Sequence, residues 1–155
     1  MFEIAKVRKR LKPYYIEEKK LITMMMKMDA DVVVMTMPDI DNYHIKRSYI
    51  NKDITYVFIP HCIDSQNMTM RKGSMDNYDV VFCCGEHQRE EVEANNRINK
   101  TRNKKIVNWG YSLLDDMIKD YKKIKPKDSK KKTVMIAPSW QKDRFLRFWR
   151  EKNMM

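Results

Sequence analysis

The sequence predicts an α/β protein, in which a parallel β-sheet is flanked by helices. Short apolar runs alternate along the chain with longer segments of helical periodicity, as strands and helices do in this fold class. Most of these runs are continuously apolar, which is typical of parallel strands covered on both faces by helices. The 155 residues suffice for one domain with a hydrophobic core.

The first 30 residues predict two helices. Ile4, Val7 and Leu11 recur at helical spacing, Pro13 interrupts the pattern, and apolar residues resume it over 21–28. Five apolar runs rich in β-branched or aromatic residues then follow as strand candidates: VVVMTM (32–37), ITYVFI (54–59), VVFCC (80–84), IVNWG (106–110) and TVMIA (133–137).

Helix candidates lie between these runs. The clearest is SLLDDMIKDYKKI, where Ser112 can cap the start and Leu114, Met117 and Tyr121 share one face. HQREEVEANNRIN, which starts at His87, is a weaker and more polar candidate. A succession of strand and helix indicates a doubly wound sheet.

The net charge of +11 is concentrated at the ends of the chain. Residues 1–30 hold eight basic and four acidic residues, 31–121 hold 12 and 14, 122–132 hold seven and one, and 133–155 hold five and two. Basic ends suit an anionic partner such as lipid head groups, a polyphosphate chain or nucleic acid. The alternative is that the lysines of 122–132 are simply solvated.

Neither a membrane anchor nor a secreted fold is expected. No apolar run approaches the roughly 20 residues that a spanning helix needs, and the first residues lack the apolar segment of a signal peptide. Cys62, Cys83 and Cys84 form neither an even disulfide framework nor a zinc pattern. We expect a cytoplasmic protein in which the adjacent cysteines pack as small apolar residues.

In open α/β sheets, ligands bind beyond the carboxyl ends of the strands, so the residues that follow each predicted strand are the site candidates. They include His61, Ser65, Gly85, Tyr111 and Ser139. His61 is the strongest candidate, because an imidazole exchanges a proton near neutral pH. A core histidine beside a loop is the alternative.

Basic residues supply the remaining candidates. Lys46 and Arg47 follow His44 and can bind phosphate or face water, and Arg71 with Lys72 can bracket an anion beside the turn that Gly73 allows. With only three glycines, the chain has no glycine-rich nucleotide-binding loop.

Five of these segments, HIKRS, YVFIPHCIDS, RKGSMDNYDVVFCCGEHQREEV, NWGYSLLD and IAPSW, resemble in that order the CDP-glycerol glycerophosphotransferases that build teichoic-acid and capsule polymers. The resemblance implies a Rossmann-like domain, one of two facing domains in the GT-B arrangement. It implies transfer of glycerol phosphate from CDP-glycerol to a hydroxyl of an anionic polyol-phosphate or glycan acceptor at the inner face of the cell membrane. In this family the matching histidine is the candidate base, which points to His61, and no cofactor or metal is predicted.

The chain departs from the family after APSWQKD, because it lacks the R-P-H-P-like motif of the second domain. We expect an acceptor-side domain at 1–124, a lysine-rich linker at 125–132, and at 133–155 the first strand of an incomplete donor-binding domain with a basic aromatic tail. Such a chain is expected to be inactive alone. The alternative is a non-catalytic module that binds an anionic polymer or membrane surface. Nucleic acid is disfavoured, because the basic patches are not interleaved with aromatic platforms.

Overall fold

The computed structural model describes residues 10–124, 132, 134 and 135. Its helices and strands are α1 (Glu18–Met26), β1 (Val32–Met35), β2 (Thr55–Phe58), α2 (Gln66–Thr69), β3 (Val80–Cys83), α3 (Glu86–Asn99), β4 (Lys105–Asn108) and α4 (Ser112–Lys123). Four of the five predicted strands and three of the predicted helices are confirmed. The helix predicted at Ile4, most of the strand at 133–137 and the aromatic tail lie outside the described residues.

The four strands form one parallel sheet in the order β1, β2, β3, β4. The predicted α/β fold, a Rossmann-like parallel sheet with flanking helices, is confirmed. The spatial order of the strands follows their order along the chain, so these four strands are wound in one direction. A doubly wound sheet reverses its winding direction and opens its crevice at the reversal, and these four strands contain no such reversal. Their carboxyl ends still share one edge, so the segments that follow them can meet there.

One face of the sheet carries the hydrophobic core. The register pairs Val33 with Tyr56 and Phe58 with Val81, and all four side chains are buried on this face. Tyr78 packs edge-to-face on Phe58 with ring centroids 5.4 Å apart, and its hydroxyl donates a hydrogen bond to the Met37 carbonyl. Burial of each large side chain stabilises the fold by about 1.5–3 kcal/mol.

The opposite face of the sheet is largely exposed at its edges. Val34 is 57% exposed, whereas its neighbour Val33 is 7% exposed. On the other edge Trp109 is also exposed and contacts Phe82, with ring centroids 5.2 Å apart. The continuous apolar runs therefore indicated a parallel sheet correctly, but helices of the described region do not cover both of its faces.

Asp79 joins three segments at the amino edge of the sheet. Its carboxylate accepts hydrogen bonds from the Tyr56 N–H at 2.9 Å and from the Arg47 guanidinium at 3.0 Å, and it also pairs with Arg102. Partial burial raises the pKa of Asp79, but the bond from Tyr56 and the charges of Arg47 and Arg102 outweigh burial and lower the pKa below its ordinary value. This cluster fixes the start of β2 against the start of β3.

The chain divides into two units, Met1–Met117 and Ile118–Met155. α4 ends at Lys123, just before the predicted linker at 125–132. Among the helices of the described region, none combines the length and the apolar character needed to cross a membrane. The candidate site lies within the first unit.

Candidate functional site

His61 lies at the carboxyl edge of the sheet, in the loop that leaves β2. It is exposed, so the alternative of a core histidine does not hold. A cavity of about 180 Å³, the histidine cavity, is lined by His61 with Pro38, Pro60, Cys62, Asp64, Thr69 and Met70. The imidazole is therefore open to a small molecule at this edge.

The loop that carries His61 is held by the first turn of α3. Gln88 is fully buried, and its Nε2 donates hydrogen bonds to the carbonyls of Cys62 at 3.2 Å and Asp64 at 2.9 Å. Its Oε1 accepts a bond from the Cys84 N–H at 2.8 Å. One amide side chain thus fixes the residues that follow His61 to the end of β3.

Glu91 continues this anchoring one turn further along α3. Its carboxylate accepts hydrogen bonds from the Ser65 hydroxyl, from the Gln66 N–H at 2.7 Å and from the Asn67 N–H at 3.3 Å. These N–H groups at the start of α2 have no partners within their own helix, so the carboxylate satisfies them. Both ends of the loop from Cys62 to Asn67 are therefore attached to α3.

Tyr111 brings the segment after β4 to the same place. Its hydroxyl donates a hydrogen bond to the His61 carbonyl at 3.0 Å. Gly110 precedes it with φ at +80°, a left-handed conformation that glycine adopts without strain. The segments that leave β2 and β4 therefore meet at the carboxyl edge of the sheet, where the sequence placed both His61 and Tyr111 among the site candidates.

A second cavity, of about 240 Å³, lies between α3 and residues 66–75. We call it the amide cavity, because carboxamide side chains and two cations line much of it: Gln66, Asn67, Asn95, Asn99, Arg71 and Lys72. Met70 lines both cavities, so the amide cavity and the histidine cavity are neighbours. The predicted turn at Gly73 also lines the amide cavity, and its φ of +83° is left-handed.

Arg71 and Lys72 differ in their contacts. The Arg71 guanidinium lies 5.3 Å from the centre of the Tyr43 ring, and a hydrogen bond with Tyr43 raises the pKa of Arg71 further above its ordinary value. Lys72 is exposed and makes no ion pair or hydrogen bond with any residue that the structure describes. Lys72 is therefore available to an anion.

Two of the predicted binding residues are engaged elsewhere. Arg47 lies at the amino edge of the sheet, where it pairs with Asp79 and covers the Tyr56 ring at 4.3 Å. Lys46 donates a hydrogen bond from Nζ to the Asp41 carbonyl at 2.6 Å. The structure does not bring Arg47 to the edge that carries His61, and its contacts hold protein segments together.

Two further predicted residues, Ser65 and Gly85, have roles in the fold, and a third, Ser139, lies outside the described residues. Ser65 donates its hydroxyl hydrogen bond to Glu91, and Gly85 immediately precedes α3. A Cβ atom at Gly85 would lie 3.0 Å from the His87 Nδ1 atom, so glycine leaves space for that ring. Ser139 lies outside the described residues.

Sequence reasoning missed the polar face that α3 turns toward the protein. Gln88, Glu91, Asn95 and Asn99 follow each other at intervals of three or four residues, so they share one face of the helix. These side chains contact the loop from His61 to Asn67, which we call the histidine loop, or line the amide cavity. The spacing was visible in the sequence, where it was interpreted only as a weaker helix.

The described residues contain no group of three histidine, cysteine, aspartate or glutamate side chains placed to hold a metal ion. Comparisons of the chain with models of protein families, with curated proteins and with solved structures found no match. The side chains themselves offer two kinds of chemistry. An exposed imidazole on a fixed loop can take a proton from a bound hydroxyl, and cations beside carboxamides can hold phosphate and hydroxyl groups.

Proposed function

We propose that this chain provides the acceptor-binding side of a glycerophosphotransferase, with His61 as the base that takes the proton from the acceptor hydroxyl. The observation that carries this proposal is the exposed position of His61 on a loop that Gln88 and Tyr111 hold in place. A base on a fixed backbone is suited to proton transfer, because catalysis depends on holding the reacting groups in position. The ordered motifs that resemble this family lead to the same residue.

The proposed step transfers glycerol phosphate from CDP-glycerol. The acceptor oxygen forms a bond to the phosphorus that carries glycerol, the bond from that phosphorus to the CMP oxygen breaks, and CMP leaves with the electron pair. His61 takes the proton of the acceptor hydroxyl. Stabilisation of the charge that develops on the phosphoryl oxygens falls to cationic groups and backbone N–H groups around the donor.

The proposal concerns the acceptor side of the reaction. The R-P-H-P-like motif of the family's donor-binding domain is absent from the sequence, so the proposal assigns binding of the CDP moiety to a separate domain or chain. The acceptor is an anionic polyol-phosphate or glycan polymer. The basic residues near both ends of the chain suit a position at the inner face of the cell membrane, where anionic lipids attract them.

The acceptor contact can be tested without the donor. Short oligomers of glycerol phosphate are added to the ¹⁵N-labelled full chain, and the imidazole signals are followed by NMR. We expect the His61 signal to shift with oligomer concentration, while the signal of the exposed His44 stays in place. An unchanged His61 signal at millimolar oligomer refutes the proposed contact.

The transfer itself is tested by release of CMP from CDP-glycerol in the presence of a glycerol-phosphate primer. The comparison is between the unsubstituted chain, His61→Ala and the matched control His44→Ala. Because the chain is expected to be inactive alone, each protein is assayed together with a donor-binding domain of this family, and we expect release that only His61→Ala abolishes. Equal release by all three proteins contradicts a base at His61. Polymer binding that falls steeply with salt and is unaffected by His61→Ala supports the non-catalytic binding module instead.

A further inference from the structure

The amide cavity contains polar groups that the fold leaves without partners. Gln66 is only 5% exposed, it lines the cavity, and its buried Nε2 has no hydrogen-bond partner. A buried amide nitrogen without a partner costs about 1–3 kcal/mol, which a structure normally avoids. Lys72 on the same cavity also has no partner among the described residues.

The chemistry of the lining suits a ligand that carries both hydroxyl groups and a phosphate. Carboxamides donate and accept hydrogen bonds at once, as hydroxyl groups do, and Asn67 adds to Gln66 in this respect. Asn95 and Asn99 also line the cavity, where the Nδ2 of Asn95 donates to Asp76 and that of Asn99 donates to Asn95. Lys72 and Arg71 supply positive charge, while the carboxylate of Glu91 is occupied by N–H and hydroxyl donors of the loop. Two cations can therefore attract a phosphate group, and the one carboxylate that lines the cavity already accepts hydrogen bonds from the loop.

The volume of the amide cavity limits which ligand it can hold. At about 240 Å³ the cavity is smaller than the roughly 300–1,000 Å³ of sites that take drug-sized molecules. A single small polyol phosphate fits this description better than a nucleotide does. Because Met70 borders both cavities, a chain bound in the amide cavity can extend into the histidine cavity.

We propose that the amide cavity binds one polyol-phosphate unit, with Lys72 at the phosphate and Gln66 at the hydroxyl groups, next to the unit that His61 faces. This inference rests on the proposed function for the identity of the ligand, but binding at the cavity needs neither CDP-glycerol nor His61. The same chemistry can come from a free polyol phosphate or from a unit within a polymer.

The experiment measures the affinity of the full chain for sn-glycerol 3-phosphate and for a glycerol-phosphate oligomer by isothermal titration calorimetry. Glycerol and inorganic phosphate serve as the two half-ligands, and we expect both to bind more weakly than sn-glycerol 3-phosphate. Tighter binding of the oligomer than of the monomer identifies a polymer as the source, and equal binding identifies the free metabolite. Absence of binding by both refutes the inference, and release of CMP still tests the proposed function independently.

Three substitutions locate the binding site. Lys72→Ala should weaken binding of sn-glycerol 3-phosphate by about tenfold, since it removes one charge-assisted hydrogen bond. Asn67→Trp, at an exposed position, should block the cavity, and the matched control Lys19→Ala on α1 should bind normally. Binding that survives both Lys72→Ala and Asn67→Trp overturns the assignment.

Gln66→Met separates a binding role from a structural one. If Gln66 serves only the fold, its replacement lowers the stability of the protein and leaves affinity unchanged. We expect the opposite result, with affinity reduced about tenfold and stability unchanged or higher, because methionine removes the unpartnered amide. His61→Ala should leave the affinity for the monomer as it is, which distinguishes this cavity from the histidine cavity.

Discussion

Replacement of Gln88 by methionine tests whether α3 holds the histidine loop. Methionine matches glutamine in length and flexibility, so the substitution removes hydrogen bonds without creating a large cavity. Three bonds are lost, those from Nε2 to the Cys62 and Asp64 carbonyls and that from the Cys84 N–H to Oε1. All three connect backbone groups that lie near a fully buried side chain.

The expected loss of stability follows from these three bonds. Each contributes about 1 kcal/mol net, or about 3 kcal/mol together if they act independently. The more apolar methionine side chain recovers roughly 1 kcal/mol through burial. We therefore expect the free energy of unfolding to fall by about 2 kcal/mol, a large part of the 5–15 kcal/mol that is typical of a domain.

The matched control is Gln66→Met, which makes the same chemical change at the second buried glutamine. The Nε2 atom of Gln66 has no partner to lose, so the stability should stay the same or rise. Urea unfolding of the full chain, followed by circular dichroism, compares both variants with the unsubstituted protein. With a slope of about 2 kcal/mol per M, the midpoint of Gln88→Met should fall by about 1 M.

Hydrogen exchange gives the second measurement on Gln88→Met. Amides of the loop from Cys62 to Asn67 should exchange faster, whereas those of β2 should keep their protection. Equal midpoints for Gln88→Met and Gln66→Met, or unchanged exchange in this loop, refute the conclusion that the Gln88 side chain fixes the position of His61.

Three further outcomes follow from the fold. Asp79→Asn should lower the free energy of unfolding by about 1–2 kcal/mol at pH 7. Because the pKa of Asp79 is lowered in the folded state, the contribution of its carboxylate to stability is present above the ordinary pKa of 3.8 and is lost as the pH falls through the folded-state pKa. Urea midpoints of variant and unsubstituted protein should thus converge as the pH falls below that folded value, and a constant difference contradicts this. Alkylation at pH 8, followed by peptide mass spectrometry, should modify exposed Cys62 first, because burial raises the pKa of the Cys83 thiol to about 11; equal rates contradict it. In urea unfolding, Val33→Ala should destabilise the protein by about 2 kcal/mol and Val34→Ala by under about 1 kcal/mol, because Val33 is buried and Val34 is exposed. Equal losses would contradict the assignment of Val33 to the buried face of the sheet and of Val34 to the exposed face.

Local patterns were enough to predict the elements and the class of the fold. The apolar runs at 80–84 and 106–110 became β3 and β4 within one or two residues at each end, because a strand depends mainly on its own β-branched and aromatic residues. The meeting of His61 with Tyr111 could also be predicted, since carboxyl ends of parallel strands share an edge.

Pairs of side chains that lie far apart along the chain could not be predicted from the sequence. Lys46 and Arg47 were candidates either to bind phosphate or to face water. Arg47 instead pairs with Asp79, which lies 32 residues further along the chain, at the edge of the sheet opposite His61. The choice between phosphate and carboxylate depends on which anion the fold brings close. The exposure of Val34 could not be predicted either, because an apolar run has the same composition whether one or both sheet faces are covered.

The polar face of α3 shows why the candidate site was only half predicted. A helix with few apolar residues looks like a solvated helix, yet Gln88 is fully buried and Glu91 accepts bonds from the start of α2. Polar side chains at helical spacing can replace apolar packing when the neighbouring element is a loop, since its backbone N–H and C=O groups need partners. The backbone at His61 and just after it is therefore held by two side chains that are distant in sequence, Tyr111 and Gln88.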